Sequence, residues 1–259
     1  MTKQVWKQND FLYLYFPDQL PTMKRIISIS LSLLVLFASC KEPVTTDSKV
    51  SGSDTFHLCN TVVHVDTISE AEFGATSLSD FNDTNEVKYL LPDGALVRRH
   101  ADTLAFSIDG GGKAFIINDT TDSENASNYL YKGYDNVLNK YVVQGLFYEW
   151  WYHLLIDKAR GDTTIVCGAP VTSPDGKYFI CGNCDIDACF TFNGLELYEN
   201  TSPPKLLCTK ELHYWGPSQI KWHDNKTIYV HANKEDTTGG GFRMVFLRLR
   251  LGEGIEKAN

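Results

Sequence analysis

The chain has 259 residues, 43% hydrophobic and 12% aromatic, with 24 Lys and Arg against 32 Asp and Glu and a formal net charge of −8. This composition is that of a globular protein with a sizeable core, not of a disordered or fibrous chain. Charges of both signs are interspersed with no basic block, which argues against nucleic acid and against a polybasic membrane face.

Residues 1–22 carry no recognisable signal and read as an extension upstream of a second start at Met23. Lys24 and Arg25 form a basic n-region, and the stretch from Ile26 to Ser39 is mostly apolar. It ends in Leu36-Phe37-Ala38-Ser39-Cys40 and is too short to span a bilayer comfortably, so 23–39 has the layout of a secretory signal. Small residues directly before a cysteine resemble the lipobox of bacterial lipoproteins, with Phe37 where Leu is usual. The resemblance implies lipidation at Cys40 and a lipid anchor in the cell envelope, at the outer membrane, facing the periplasm or the surface. Lys41-Glu42 is similar to the charged signal of surface-bound Bacteroidetes lipoproteins. Residues 40–55 are rich in Ser, Thr, Asp and Lys and read as a flexible tether.

From 56 to 252 the chain reads as one all-β domain, with 253–259 as a polar tail. Ser69-Glu70-Ala71-Glu72 has a capping-box layout and predicts a short helix to about Phe73. Lys88–Leu91 and Ala95–Arg99 flank Pro92-Asp93-Gly94 and predict a hairpin, as do Leu104–Ile108 and Lys113–Asn118. Tyr141–Asp157 is the strongest apolar run. At about 3.3 Å per residue it is too long for one typical strand, so a bulge at Gly145 or a turn near Glu149 is expected. If Tyr148–Ile156 is continuous, Glu149, Trp151 and His153 share a face that is a candidate ligand platform.

The organising stretch is Gly168–Asn183. Ser173-Pro174-Asp175-Gly176 has the chemistry of a tight turn, and Lys177–Cys181 is a short run rich in aromatic and β-branched residues. A second copy lies 49 residues on, where Ala169–Asn183 aligns without gaps on Ser218–Ala232. A weaker third copy is Ala105–Ile117. The Ser-Pro-Asp-Gly-Lys-Tyr run resembles the blade hairpin of Tol-type and WD40-like β-propellers. It implies antiparallel hairpin repeats in a propeller-like fold, closed or partial, with at most short helices after the signal peptide. Gly145–Asn193 also resembles uncharacterised bacterial exported proteins, a resemblance that carries no activity.

Besides Cys40 there are six cysteines, Cys59, Cys167, Cys181, Cys184, Cys189 and Cys208, which an oxidising compartment would permit to form disulfides of undetermined pairing. Cys181, Cys184 and Cys189 are alternatively metal ligands or a redox motif, although neither a fourth ligand nor a βαβ unit follows. Asn183, Asp185 and Asp187 place three oxygen side chains at alternate positions, a candidate calcium loop that lacks the Gly and terminal Glu of an EF-hand. No other cofactor is expected.

Phe242–Leu251 alternates cleanly and predicts a last strand that pairs with the N-terminal region to close the sheet. No nucleophile elbow and no zinc-protease motif is present. The expected role is an envelope binding or scaffolding module for a protein or glycan. The alternatives are an envelope or extracellular hydrolase and an inhibitor of an attacking enzyme such as a lysozyme.

Overall fold

The computed structural model describes residues 5–8, 11–14, 54–74, 84–121, 124, 126–237 and 239–252. Cys40, the signal segment 23–39, residues 40–53 of the tether and the tail 253–259 lie outside them. Eighteen strands and two short helices follow in chain order: β1 (Val5–Gln8), β2 (Phe11–Leu14), β3 (Asp54–Leu58), β4 (Thr61–Ile68), α1 (Glu70–Phe73), α2 (Val87–Leu90), β5 (Val97–His100), β6 (Thr103–Ile108), β7 (Gly112–Ile117), β8 (Asn128–Asp135), β9 (Lys140–Leu146), β10 (Trp151–Asp157), β11 (Thr163–Val166), β12 (Val171–Thr172), β13 (Tyr178–Asn183), β14 (Gly194–Glu199), β15 (Lys205–Glu211), β16 (Trp215–Asp224), β17 (Thr227–Glu235) and β18 (Phe242–Leu251).

The strands make four sheets, ordered β1-β2-β7-β6-β5, β11-β10-β9-β8, β12-β13-β14-β15 and β16-β17-β18-β4-β3. All pairings are antiparallel except β2 on β7. The all-β expectation holds at this level. The hairpin β1–β2 in the segment read as signal-free is a departure, and only its backbone pairing is at issue. The expected terminal pairing is present: β18 lies antiparallel to β4, from Phe246 opposite Ile68 to Leu251 opposite Val63.

Consecutive sheets are joined by apolar layers. Leu104, Phe106 and Ile116 of the first sheet pack with Tyr131, Tyr141 and Leu154 of the second. Val142, Leu155 and Val166 of the second pack with Phe179, Cys181 and Tyr198 of the third. Ile180, Leu195 and Leu197 of the third pack with Val230, Leu247 and Leu249 of the fourth. The second sheet is thus covered on both faces, which is why β9 and β10 read as an unbroken apolar run instead of alternating. The far face of the fourth sheet is covered by α1, through Phe73 against Ile68, Tyr229 and Phe246. Ser69 caps that helix by accepting from the Glu72 backbone N–H at 3.1 Å, as its capping-box layout predicts.

Two sequence expectations are corrected. Lys88–Leu91 is not a strand: Val87–Leu90 is one helical turn, closed by Leu90 N–H to Glu86 C=O and Leu91 N–H to Val87 C=O, both 3.0 Å. A short apolar run does not separate helix from strand by its pattern. Here Glu86 decides, because it accepts from Arg99 on β5 and from the Tyr131 N–H on β8 and so anchors the turn between the two sheets. The third copy, Ala105–Ile117, is a hairpin, but it is formed by the first and second strands after β5 in its sheet, β6 and β7. The 168–183 and 218–232 copies are instead the first hairpins of theirs, β12–β13 and β16–β17. Their turns meet, with Asp175 N–H donating to Asn225 Oδ1 at 3.0 Å.

Candidate functional site

β9 and β10 are joined by a turn over Phe147–Trp150, closed by Phe147 N–H donating to Trp150 C=O at 3.0 Å. The chain therefore turns around Glu149, one of the two breaks expected, and Glu149 is exposed on the turn rather than on a strand. Trp150 stacks on Phe147 with centroids 3.9 Å apart and planes 5° from parallel. Tyr152 lies 5.5 Å from Trp150, and its hydroxyl meets that of Tyr129 at 3.3 Å. Gly145 makes this cluster fit: a Cβ there would stand 3.1–3.2 Å from Tyr129, Phe147 and Tyr152.

Opposite this tip is the loop between β13 and β14. Asp185 organises it, its Oδ1 accepting from Cys189 N–H at 3.1 Å and its Oδ2 from the Thr191 N–H and hydroxyl at 2.5 and 2.8 Å. Asn183 donates to Thr191 Oγ1 and Phe192 C=O and accepts from Trp151 Nε1 at 3.1 Å, which ties the loop to the aromatic tip across two sheets. The carboxylate and amide proposed for calcium thus serve as loop scaffolding, and Asp187 is exposed. Among the described residues no three His, Cys, Asp or Glu side chains are gathered as a metal would need.

Between tip and loop lies a cleft of about 270 Å³, walled by Trp150, Trp151, Tyr152, Phe190 and Phe192, with Asn183, Thr191, Cys167 and Glu196 among its polar lining. Trp150 and Phe190 of its lining are exposed at 38% and 57%. Glu196, on β14, accepts at Oε2 from Cys167 N–H at 2.8 Å and from the Tyr198 hydroxyl at 2.9 Å. Burial pushes the Cys167 and Tyr198 groups well up from their ordinary values, with the Glu196 charge acting in the same direction. Both are neutral donors to that carboxylate.

Of the predicted platform, Trp151 lines the cleft, Glu149 does not, and His153 is buried between the second and third sheets. Sequence reasoning missed Trp150, Tyr152, Phe190, Phe192 and Glu196 as partners of Trp151. The only local signal was the Phe-Thr-Phe run beside the Asx-rich loop.

Cys59 and Cys208 are joined by a disulfide. Cys167, Cys181, Cys184 and Cys189 are free thiols, with Cys181 buried and Cys189 exposed. Burial raises the pKa of Cys181 and Cys184 as it does that of Cys167, which keeps these thiols protonated and unreactive at neutral pH.

His153 Nδ1 and the neighbouring Gln144 Oε1, on directly opposed residues of β10 and β9, are buried without a hydrogen-bond partner. Burial, with the Lys132 charge added, pushes the His153 pKa down from 6.5 to about 4. Protonation is therefore easier in the unfolded chain, so stability is full above pH 6.5 and is lost as pH falls towards 4. The loss is on the order of 3 kcal/mol. Thermal melts at pH 7 and pH 4.5 are expected to show this drop in the wild-type protein and a much smaller one in His153→Leu. Equal drops in both would remove His153 as its source.

No protein-family profile matches the chain, and no curated protein matches it. Among solved structures it is similar to native Bacillus subtilis arabinanase Arb43A, at 10% identity and a TM-score of 0.27, over 76% of this chain and 92% of that one. A likeness at that level carries no argument about activity.

Proposed function

We propose that the protein is an exported, lipid-anchored binding module of the cell envelope, built as a propeller-like array of four sheets and holding its ligand in the cleft between the second and third. The observation that carries the binding reading is the aromatic cleft, whose lining combines five aromatic residues with a single carboxylate. Such a surface binds well, because the rings offer large contact area at low entropic cost. Hydrolysis by paired carboxylates would need a second acid facing Glu196, and the cleft lining has none.

Export is supported by the Cys59–Cys208 disulfide, which persists in oxidising compartments. The propeller-like reading is supported by four sheets in chain order and by β4 completing the sheet of β18. The lipobox resemblance supports an anchor at Cys40, and cleavage there would remove β1 and β2 from the first sheet. The intact mass of protein purified from membranes reads this directly: an acylated chain beginning at Cys40 supports it, and an unacylated chain beginning at Met1 overturns it.

For the cleft, the test is tryptophan emission during titration with oligosaccharides, peptides and small organic ions. A saturable change is expected in the wild-type protein and its loss in Trp150→Ala, a substitution at an exposed turn residue that leaves the core intact. A response equal in both proteins, or product release from any titrant, overturns the binding reading.

A further inference from the structure

The geometry points to an alkylated ammonium ion, a small organic cation of the choline or tetramethylammonium class, as what the cleft takes; this inference rests on the reading of the cleft as the binding site. Among the described residues Glu196 is the sole charged residue of the lining, and no Lys or Arg stands with it there. Among the described residues no ion pair reaches its carboxylate, whose hydrogen bonds come from the neutral Cys167 N–H and Tyr198 hydroxyl. A half-buried carboxylate without a cation, in a chain of net charge −8, selects positive ligands.

The walls select the kind of cation. A ring face attracts a cation through its quadrupole, most strongly for Trp, and alkylated ammonium groups suit such a site because they have little hydration to lose. One face of Trp150 is occupied by Phe147 at 3.9 Å, so the face it can offer is the other. Tyr152 leaves that face open: it lies beside the stacked pair, 5.2 Å from Phe147 and 5.5 Å from Trp150.

The same geometry disfavours the two competing ligand classes. A neutral sugar needs directed hydrogen bonds, but the Asn183 amide and the Thr191 hydroxyl are already engaged within the loop. A metal ion needs several oxygens, and the lining offers one carboxylate among apolar walls.

The test is titration of the full chain with tetramethylammonium and choline. The controls are 3,3-dimethylbutan-1-ol, the neutral isostere of choline, and cellohexaose. Emission and calorimetry are read for the wild type, Trp150→Ala and Glu196→Gln. The Gln side chain keeps a carbonyl to accept from Cys167 and Tyr198, so the third sheet stays intact. The cations are expected to bind the wild type at least tenfold more tightly than the isostere. Glu196→Gln should bring cation and isostere together, and Trp150→Ala should weaken the cation about tenfold. Equal affinity for choline and its isostere, or unchanged cation affinity in Glu196→Gln, overturns the inference. Binding of cellohexaose but not of the cations overturns it while leaving the binding cleft standing. No response to any probe overturns both.

Discussion

Replacing Cys59 and Cys208 together by Ser is expected to lower the melting temperature by on the order of 10 °C. Cys59 sits in the turn between β3 and β4, and Cys208 lies on β15, so the bond joins the outer strands of the third and fourth sheets. The two residues are 149 positions apart, most of the stretch from 54 to 252. In the chain-entropy account a loop of that length stabilises by about 5 kcal/mol, at the upper end of what native disulfides give. For a chain of this size each kcal/mol moves the midpoint by roughly 2–4 °C. Leu58, beside Cys59, is buried in the same apolar layer as Leu195 and Leu197, so the cross-link also holds β3 over that layer. Calorimetry of the wild type with and without reductant gives the same comparison without mutation. Cys184→Ser and Cys189→Ser, at free thiols, should not respond to reductant differently from the wild type. A reductant shift below about 2 °C in the wild type would show that the cross-link adds nothing.

Lys140→Met is expected to cost about 3–5 kcal/mol, the range for removing one partner of a buried ion pair. Lys140 and Asp157 face each other directly across β9 and β10, at 2.9 Å, and are only 2% and 4% exposed. Asp157 also accepts from Ser202 Oγ of the third sheet's last loop and, through Oδ1, from Ala159 and Arg160 N–H. It therefore fixes the β10–β11 turn and ties two sheets at once. Burial acts to raise its pKa, but the bonds from Lys140 and Ser202 and the Lys140 charge outweigh it and hold the carboxyl below its ordinary value. Its stabilisation is accordingly full above pH 3.8 and is lost as the carboxyl protonates below that, a lower window than that of His153. Losing Lys140 leaves the carboxylate buried with neutral donors alone. In Lys140→Met/Asp157→Asn the charge is gone, and the amide oxygen still accepts from the turn, so the double variant should be less destabilised than the sum of the singles. Urea unfolding of the four proteins measures this. A Lys140→Met variant within 1 kcal/mol of the wild type, or a strictly additive cycle, would sink the argument.

The cleft was only partly legible in the sequence. Trp151 stands out through its place in a long apolar run with Trp150 and Tyr152 beside it, yet its other companions, Phe190, Phe192 and Glu196, come from the next sheet and its loop. Asn183 and Asp185 were legible as oxygen donors at alternate positions. Their partners Thr191, Phe192 and Cys189 turn that spacing into a braced loop, and spacing alone does not distinguish bracing from cation binding. Alternation puts His153 on the same face as Trp151 but does not tell whether that face is covered. The third sheet covers that face, and nothing in residues 148–156 records a neighbour supplied by residues 178–199.

By itself the sequence determined what is local. Alternation and turn chemistry set the strand class, the hairpin at 173–176 and its copy at 222–225, the capped turn at 69–73 and the last strand at 242–251, because each depends on backbone preferences within a few residues. Tertiary structure decided what is relational. It set which face of each sheet is covered, which two of six cysteines meet, and which aromatic residues line one cleft with Glu196. These follow from how four sheets stack, and stacking is governed by apolar contacts between residues far apart in the chain, which no local pattern encodes.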